Sequence, residues 1–169
     1  MKFGIICAMP EEIKELLAAL DQESTHEIGG KQYYDGQLYG TPVTLVESGI
    51  GKVEAGITTE HLITDCHADV VINSGSAGGI GQGLHVGDIV ISTETAYHDV
   101  DATAFDYQYG QLPGKKPRFK ASDKWGQILA KAGEQTGLNI KRGLIVTGDQ
   151  FVASKDAIND ILKHFPDAL

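Results

Sequence analysis

Apolar runs along the chain come in two kinds, short continuous ones bounded by small residues and longer ones with helical spacing. The short runs at 2–8, 43–47, 69–73, 88–95 and 143–147 predict strands. Val70, Val71 and Ile72 are consecutive β-branched residues, which predicts a strand buried on both faces. Residues 32–38 and 43–47 form a hairpin around Tyr39-Gly40, with Pro42 tolerated at the entry of its second strand. Among the longer runs, Pro10-Glu11-Glu12 opens a helix with Ile13, Leu16, Leu17 and Leu20 at i, i+3, i+4, i+7. A second helix runs through Cys66 with the less regular set Val53, Ile57, Leu62 and Ile63. In a third, Ser122-Asp123 caps a stripe of Trp125, Ile128, Leu129 and Ala132 that Gly137 follows. Ser154 caps a last helix carrying Ile158, Ile161, Leu162 and Phe165. Strands alternating with helices predict an α/β fold, and the long irregular segment 97–121 is of a length that is usually functional or contacts a partner.

The length of 169 residues suits one domain, 1–169, able to bury about 70% of its unfolded surface without disulfides or a structural metal. With 23 acidic and 14 basic side chains the formal charge is -9, and the one basic cluster is Lys115-Lys116-Pro117-Arg118, so nucleic acid and anionic membrane are poor partners. Cys7 and Cys66 lie far apart with no C-x-x-C spacing, as expected of two reduced thiols in a cytoplasmic protein. No stretch approaches the ~20 apolar residues of a membrane span.

The run 69–73 ends in Ser74-Gly75-Ser76-Ala77-Gly78-Gly79, small residues that let backbone come close to a ligand. Strand ends of this kind host ligands in open α/β sheets, although a tight turn between core strands explains the same residues. A phosphate-binding P-loop is absent, since no Lys follows these glycines until Lys115. Gly81-Gln82-Gly83 leads into another strand rather than a helix, which disfavours a dinucleotide fingerprint.

Several of these strand ends recur together in one family. Gly4-Ile5-Ile6, Ala8-Met9-Pro10-Glu11-Glu12, Ser48-Gly49-Ile50-Gly51-Lys52-Val53 and Asn73-Ser74-Gly75-Ser76-Ala77-Gly78-Gly79 come first. Val86-Gly87-Asp88, Tyr97-His98-Asp99, Asp101-Ala102-Thr103-Ala104-Phe105, Tyr109-Gly110-Gln111-Leu112-Pro113, Arg142-Gly143-Leu144-Ile145-Val146 and Gly148-Asp149 follow, and then Phe151. Over nearly its whole length the chain resembles the bacterial 5′-methylthioadenosine/S-adenosylhomocysteine nucleosidases of the nucleoside phosphorylase superfamily. The resemblance implies a mixed β-sheet flanked by helices. It also implies hydrolysis of the bond between adenine N9 and ribose C1′ by water alone, with no cofactor and no metal. Family members continue past Leu169 into a Val-Glu-Met-Glu stretch and the strand bearing the catalytic acid. The expectation is therefore a fold lacking its last strands and helix, and a 169-residue chain that is inactive alone.

By the same resemblance Glu12 deprotonates the attacking water, a role competing with that of an ordinary first-turn glutamate beside a helix dipole. Met9, Ile50 and Phe105 line the apolar wall around the 5′-alkylthio group, where core packing alone would also explain Met9 and Ile50. Ser76, Ala77 and Gly78 lie beside ribose and base. Phe151 stacks on adenine, against an ordinary core role, and the backbone of Val152 reads the purine edge. The resemblance further implies a homodimer whose long loop, with Ala102, Phe105, Tyr107 and Pro113, reaches the partner's pocket. Asp106 departs from the pattern, standing where relatives often carry Gly. His98, Asp99 and Asp101 are read as solvated or capping loop residues rather than metal ligands. The rival activities are phosphorolysis, which needs an arginine-lined anion site, and a dimerising or ligand-binding remnant without turnover.

Overall fold

A computed structural model describes all 169 residues, which form two compact units, Met1–Ala77 and Gly78–Leu169. The first unit contains β1 (Phe3–Cys7), α1 (Pro10–Ala19), β2 (Asp21–Ile28), β3 (Lys31–Leu38), β4 (Thr41–Glu47), α2 (Lys52–Thr64) and β5 (Val70–Asn73). Its sheet has the order β2-β3-β4-β1-β5. β1 lies parallel to both β4 and β5, while β2, β3 and β4 form an antiparallel meander, so the sheet is mixed as predicted. The hairpin forms at Tyr39 and Gly40, whose φ angles of 51° and 79° match the tight turn that follows the strand twist.

The second unit contains β6 (Ile89–Tyr97), a short 3₁₀ turn (Thr103–Phe105), β7 (Phe119–Lys120), α3 (Asp123–Glu134), β8 (Ile140–Thr147) and α4 (Lys155–His164). β6 is central, antiparallel to β7 and parallel to β8. α3 and α4 begin at Ser122 and Ser154, whose hydroxyls accept the N–H of Trp125 and Ala157. No helix is long and apolar enough to cross a membrane.

Both faces of the first sheet are covered. Ile6, Tyr33, Val46, Leu62 and Cys66 form one cluster on the α2 side, and Cys7, Ile13, Val43 and Leu45 another beneath α1. Adjacent Ile6 and Cys7 fall in opposite clusters because successive strand side chains alternate faces. The second unit is built on Ala96, Leu144, Ile161, Phe165 and Ala168. Each fully buried aliphatic side chain contributes about 1.5–3 kcal/mol, so truncating Ile6 or Ile13 would be felt at once.

Helical spacing located the buried face in α1 and α4, found part of it in α2, where Leu62 is buried, and missed it in α3. On α1, Ile13 is buried with Leu16, Leu17 and Leu20 packed around it, and on α4 Ile161 and Phe165 are buried. On α2 the buried residues are Thr58 and Leu62, whereas Val53 and Ile57 are 72% and 50% exposed. α3 turns Gly126 inward and leaves Ile128 and Leu129 exposed. A Cβ on Gly126 would stand 2.9 Å from the Arg142 guanidinium, and one on Gly133 2.6 Å from Ile140, so small residues bring α3 close to β8. An apolar count carries no signal for such contacts.

The strand expected to be buried on both faces is also corrected. β5 stands at the end of its sheet with β1 alone beside it, and Val70, Val71 and Ile72 are each half-buried. β2, polar except for its last residue Ile28 and exposed along most of its length, carries no apolar alternation to mark it in the sequence.

Candidate functional site

Pairing in the first unit aligns the C-terminal ends of three parallel strands, with Cys7 opposite Glu47 and Ile6 opposite Asn73. From these ends leave the segments holding Met9 and Glu12, Ile50, and Ser76 and Ala77. That is the end at which open α/β sheets bind ligands. Glu12 is drawn back over the strand ends. Its Oε2 accepts the backbone N–H of Ala8 at 2.9 Å and of Met9 at 3.1 Å. Its Oε1 accepts the Ser76 N–H at 2.7 Å and the Ser76 hydroxyl at 2.8 Å. The Met9 contact is the half of a capping box that a glutamate in the first turn supplies, so the ordinary reading of Glu12 holds too. The Ser76 contacts, 64 residues away in sequence, lie outside it.

Burial pushes the Glu12 carboxyl up, but the hydrogen bonds from Ser76, Ala8 and Met9 outweigh that and hold it below the usual glutamate value. It is therefore an anion at neutral pH. Four donors fill the roughly four lone-pair sites a carboxylate offers. A water reaches Glu12 only by displacing one of them, and the Ser76 hydroxyl is the one that can swing away by bond rotation.

Around this carboxylate Met9 is half-buried, while Ile50 is 77% exposed, which removes core packing as its explanation. The turn bearing Ile50 is tied down by Ser48, whose N–H donates to the Cys7 carbonyl at 2.8 Å. Lys31 Nζ donates to the Ser48 carbonyl at 2.6 Å and pairs with Glu54 at 2.7 Å. Lys31 carried no sequence signal, since a lone lysine at a strand start is ordinary. Cys7 lies beneath the site as a free, buried thiol, pushed up to about 11 by burial and by Glu12 and Glu47, so no thiolate forms there.

In the second unit β6 and β8 also end together, with Tyr97 opposite Thr147 and the His98 N–H donating to the Thr147 carbonyl at 2.9 Å. Asp99 joins the two departing loops by accepting the Asp149 N–H at 2.7 Å. Asp101 accepts both the N–H and the hydroxyl of Thr103, so both aspartates serve loop geometry. These loops carry Phe105 and Phe151, 76% and 96% exposed, so neither is a core aromatic. Val152 is half-buried and lines a cavity of about 230 Å³ with His98, Asp99, Tyr109, Gln150 and Asp160. The larger cavity, about 300 Å³ near Ile80, Leu162 and Leu169, is lined by none of the predicted site residues. Of the loop residues assigned to a partner's pocket, Ala102 is buried within its own chain, Tyr107 is half-buried and Pro113 is exposed. Asp106 takes a left-handed backbone, φ 63°, at the end of the 3₁₀ turn, a conformation that glycine adopts without steric cost.

The sequence profile of the phosphorylase superfamily matches residues 2–169, and the chain belongs to that superfamily. Within it, the chain is similar to the 5′-methylthioadenosine/S-adenosylhomocysteine nucleosidase of Neisseria meningitidis, solved with methylthio-immucillin-A. The two share 43% identity at a TM-score of 0.96, over 99% of this chain and 73% of that one. The S-adenosylhomocysteine nucleosidase of Streptococcus pyogenes with 5-methylthiotubericidin gives 40% identity and a TM-score of 0.95, over 100% and 72%. The corresponding nucleosidase of Colwellia psychrerythraea with adenine gives 44% and 0.93, over 99% and 70%.

Proposed function

We propose that this protein hydrolyses the N-glycosidic bond of 5′-methylthioadenosine and S-adenosylhomocysteine, releasing adenine and a thioribose. The observation that carries the reading is the anionic Glu12, fixed by four donors at the strand ends of a chain this similar to nucleosidases. Glu12 takes a proton from water as its oxygen bonds to ribose C1′. The C1′–N9 bond breaks toward the base, and adenine departs with the electron pair and takes up a proton. A carboxylate held ready in this way also offsets the positive charge that builds on the ribose in an oxocarbenium-like transition state. Met9, Ile50 and Phe105 cover the alkylthio group, Ser76, Ala77 and Gly78 lie at ribose and base, Phe151 stacks on adenine, and the backbone of Val152 reads its edge.

Phosphorolysis is disfavoured by where the cations are. The chain has two arginines. Arg118 is engaged by Asp167 at 2.6 Å and 3.0 Å and by Glu94, and Arg142 faces Asp123 at 3.9 Å. The further proposals are a homodimer, a place in the cytoplasm and a role in methionine salvage and the methyl cycle. Exposed Val53 and Ile57, one turn apart on α2, suit a subunit contact, and the loop of Ala102, Phe105, Tyr107 and Pro113 is proposed to contribute to the partner's pocket.

The test is adenine release from methylthioadenosine, with and without inorganic phosphate, by a version of the chain extended to the length of its relatives, of which it covers 73%, 72% and 70%. Equal rates and free 5-methylthioribose are expected. A phosphate requirement with a ribose 1-phosphate product would make the protein a phosphorylase, and binding without release would make it a ligand-binding protein.

A further inference from the structure

The glycines after β5 do different things. At Gly78 nothing lies within 4 Å of where a Cβ would be, and at Gly79 the nearest neighbour is the Leu84 side chain, its Cβ at 3.2 Å. Gly75 alone faces Glu12. A Cβ built on it would stand 2.9 Å from each Glu12 carboxylate oxygen and 3.0 Å from the carboxyl carbon, and these are its three nearest neighbours. Backbone shape does not call for glycine there, because Gly75 is absent from the residues with positive φ. The space above residue 75 is thus filled by the carboxylate and by no other group that close.

We propose that Gly75 is a positioning residue, whose missing side chain lets the Glu12 carboxylate seat against the strand end and reach Ser76. The inference rests on the assignment of Glu12 as the base. With a methyl at 75 the carboxylate must withdraw by several tenths of an ångström. Its contact with Ser76 suffers first, since Ser76 is the next residue and supplies both donors to Oε1. The donors from Ala8 and Met9 stand immediately before α1, within four residues of Glu12, and move with it more readily. What is lost is therefore the aim of the base and two of the bonds that favour its ionised form.

In a version of the chain extended to the length of its relatives, Gly75→Ala should lower kcat roughly ten- to a hundredfold, short of the full ~10²–10⁴ effect of losing a general base. KM for methylthioadenosine should stay within about threefold, and the acid limb of the kcat/KM profile should move to higher pH. A purely structural role would leave that limb in place. In the shorter-armed Glu12→Asp background the carboxylate no longer reaches residue 75, so adding Gly75→Ala should cost less than about threefold in kcat. Wild-type kcat and an unmoved acid limb in folded Gly75→Ala would overturn the proposal. So would equal penalties from Gly75→Ala in the wild-type and Glu12→Asp backgrounds. Should Gly75→Ala fail to fold, a folded Glu12→Asp/Gly75→Ala protein matching Glu12→Asp supports the proposal, and failure of that double variant too overturns it. Full activity in Glu12→Gln would instead remove the assignment of the base, which keeps the two failures apart.

Discussion

At the strand ends of the first unit a carboxylate has all its lone pairs engaged before any substrate arrives, whereas at those of the second two phenylalanine rings stand 76% and 96% exposed. The contrast follows from what each group has to do. An ionic group that acts on a developing charge gains most when it needs no reorganisation at the moment of reaction, so its donors are built into the fold. An aromatic platform gains its energy by being covered, at about 25 cal/mol per Å² of apolar surface removed from water, and a ring already packed by protein would have little left to gain. Substitutions on the two sides should therefore fail in different ways, the first in rate and the second in affinity.

The largest expected effect is that of Glu12→Gln. Removing a general base costs ~10²–10⁴ in rate, so in a version of the chain extended to the length of its relatives kcat should fall by that much while a non-hydrolysable substrate analogue binds nearly as before. Near-normal turnover would take Glu12 out of the mechanism. Phe151→Ala should behave in the opposite sense. Base stacking on an aromatic is worth ~1–3 kcal/mol by truncation, so adenine affinity should drop about tenfold or more. The melting temperature should stay put, because the ring is almost wholly exposed. A lowered melting temperature with unchanged adenine affinity would mean that Phe151 serves the fold instead.

How legible each part was in sequence depends on the kind of contact involved. The parallel strands and the helix opening at Pro10 were plain, because long side chains at regular spacing advertise them. The faces of α2 and α3 were less so, since buried Thr58 carries no apolar signal, Gly126 and Gly133 make their contacts by being small, and Val53, Ile57 and Ile128 stay outside while Leu62 is buried as expected. β2 was invisible for the related reason that an exposed strand needs no apolar alternation. At the candidate site Glu12 stood out through the family resemblance, and the exposure of Phe151 and Ile50 removes the competing core readings. The partner role of Ser76 and the clearance left by Gly75 had no signal in one dimension, because both depend on a contact spanning more than 60 residues.

Ser76→Ala probes that contact with a smaller effect. It removes one donor of four to an ionised carboxylate at a partly exposed site, worth about 1 kcal/mol at neutral pH. The folded-state pKa of Glu12 lies below its unfolded value, so the stability it contributes is present above the ordinary glutamate pKa and is lost as pH falls through the folded one. The gap in unfolding free energy between wild type and Ser76→Ala should therefore be widest at neutral pH and close on acidification. The acid limb of activity should also move up in the variant. A gap that stays constant with pH would show that the hydroxyl does not act through the ionised form of Glu12.

The smallest effect belongs to the second unit, where Asp106 closes the 3₁₀ turn with its backbone left-handed, φ 63° and ψ 19°, and its N–H donating to the Thr103 carbonyl at 3.0 Å. A side chain in that region is crowded between Cβ and the carbonyl, although aspartate suffers less than most. Glycine relieves the crowding but loses more conformational freedom on folding, and the two effects nearly offset. Asp106→Gly should accordingly stabilise the protein by less than about 1 kcal/mol, read as a rise in melting temperature of a few degrees at most. Adenine affinity and kcat should not change, since residue 106 is assigned no contact with substrate. A clear loss of stability would mean that the Asp106 side chain holds the turn together, and that the position tolerates its left-handed backbone because of aspartate rather than in spite of it.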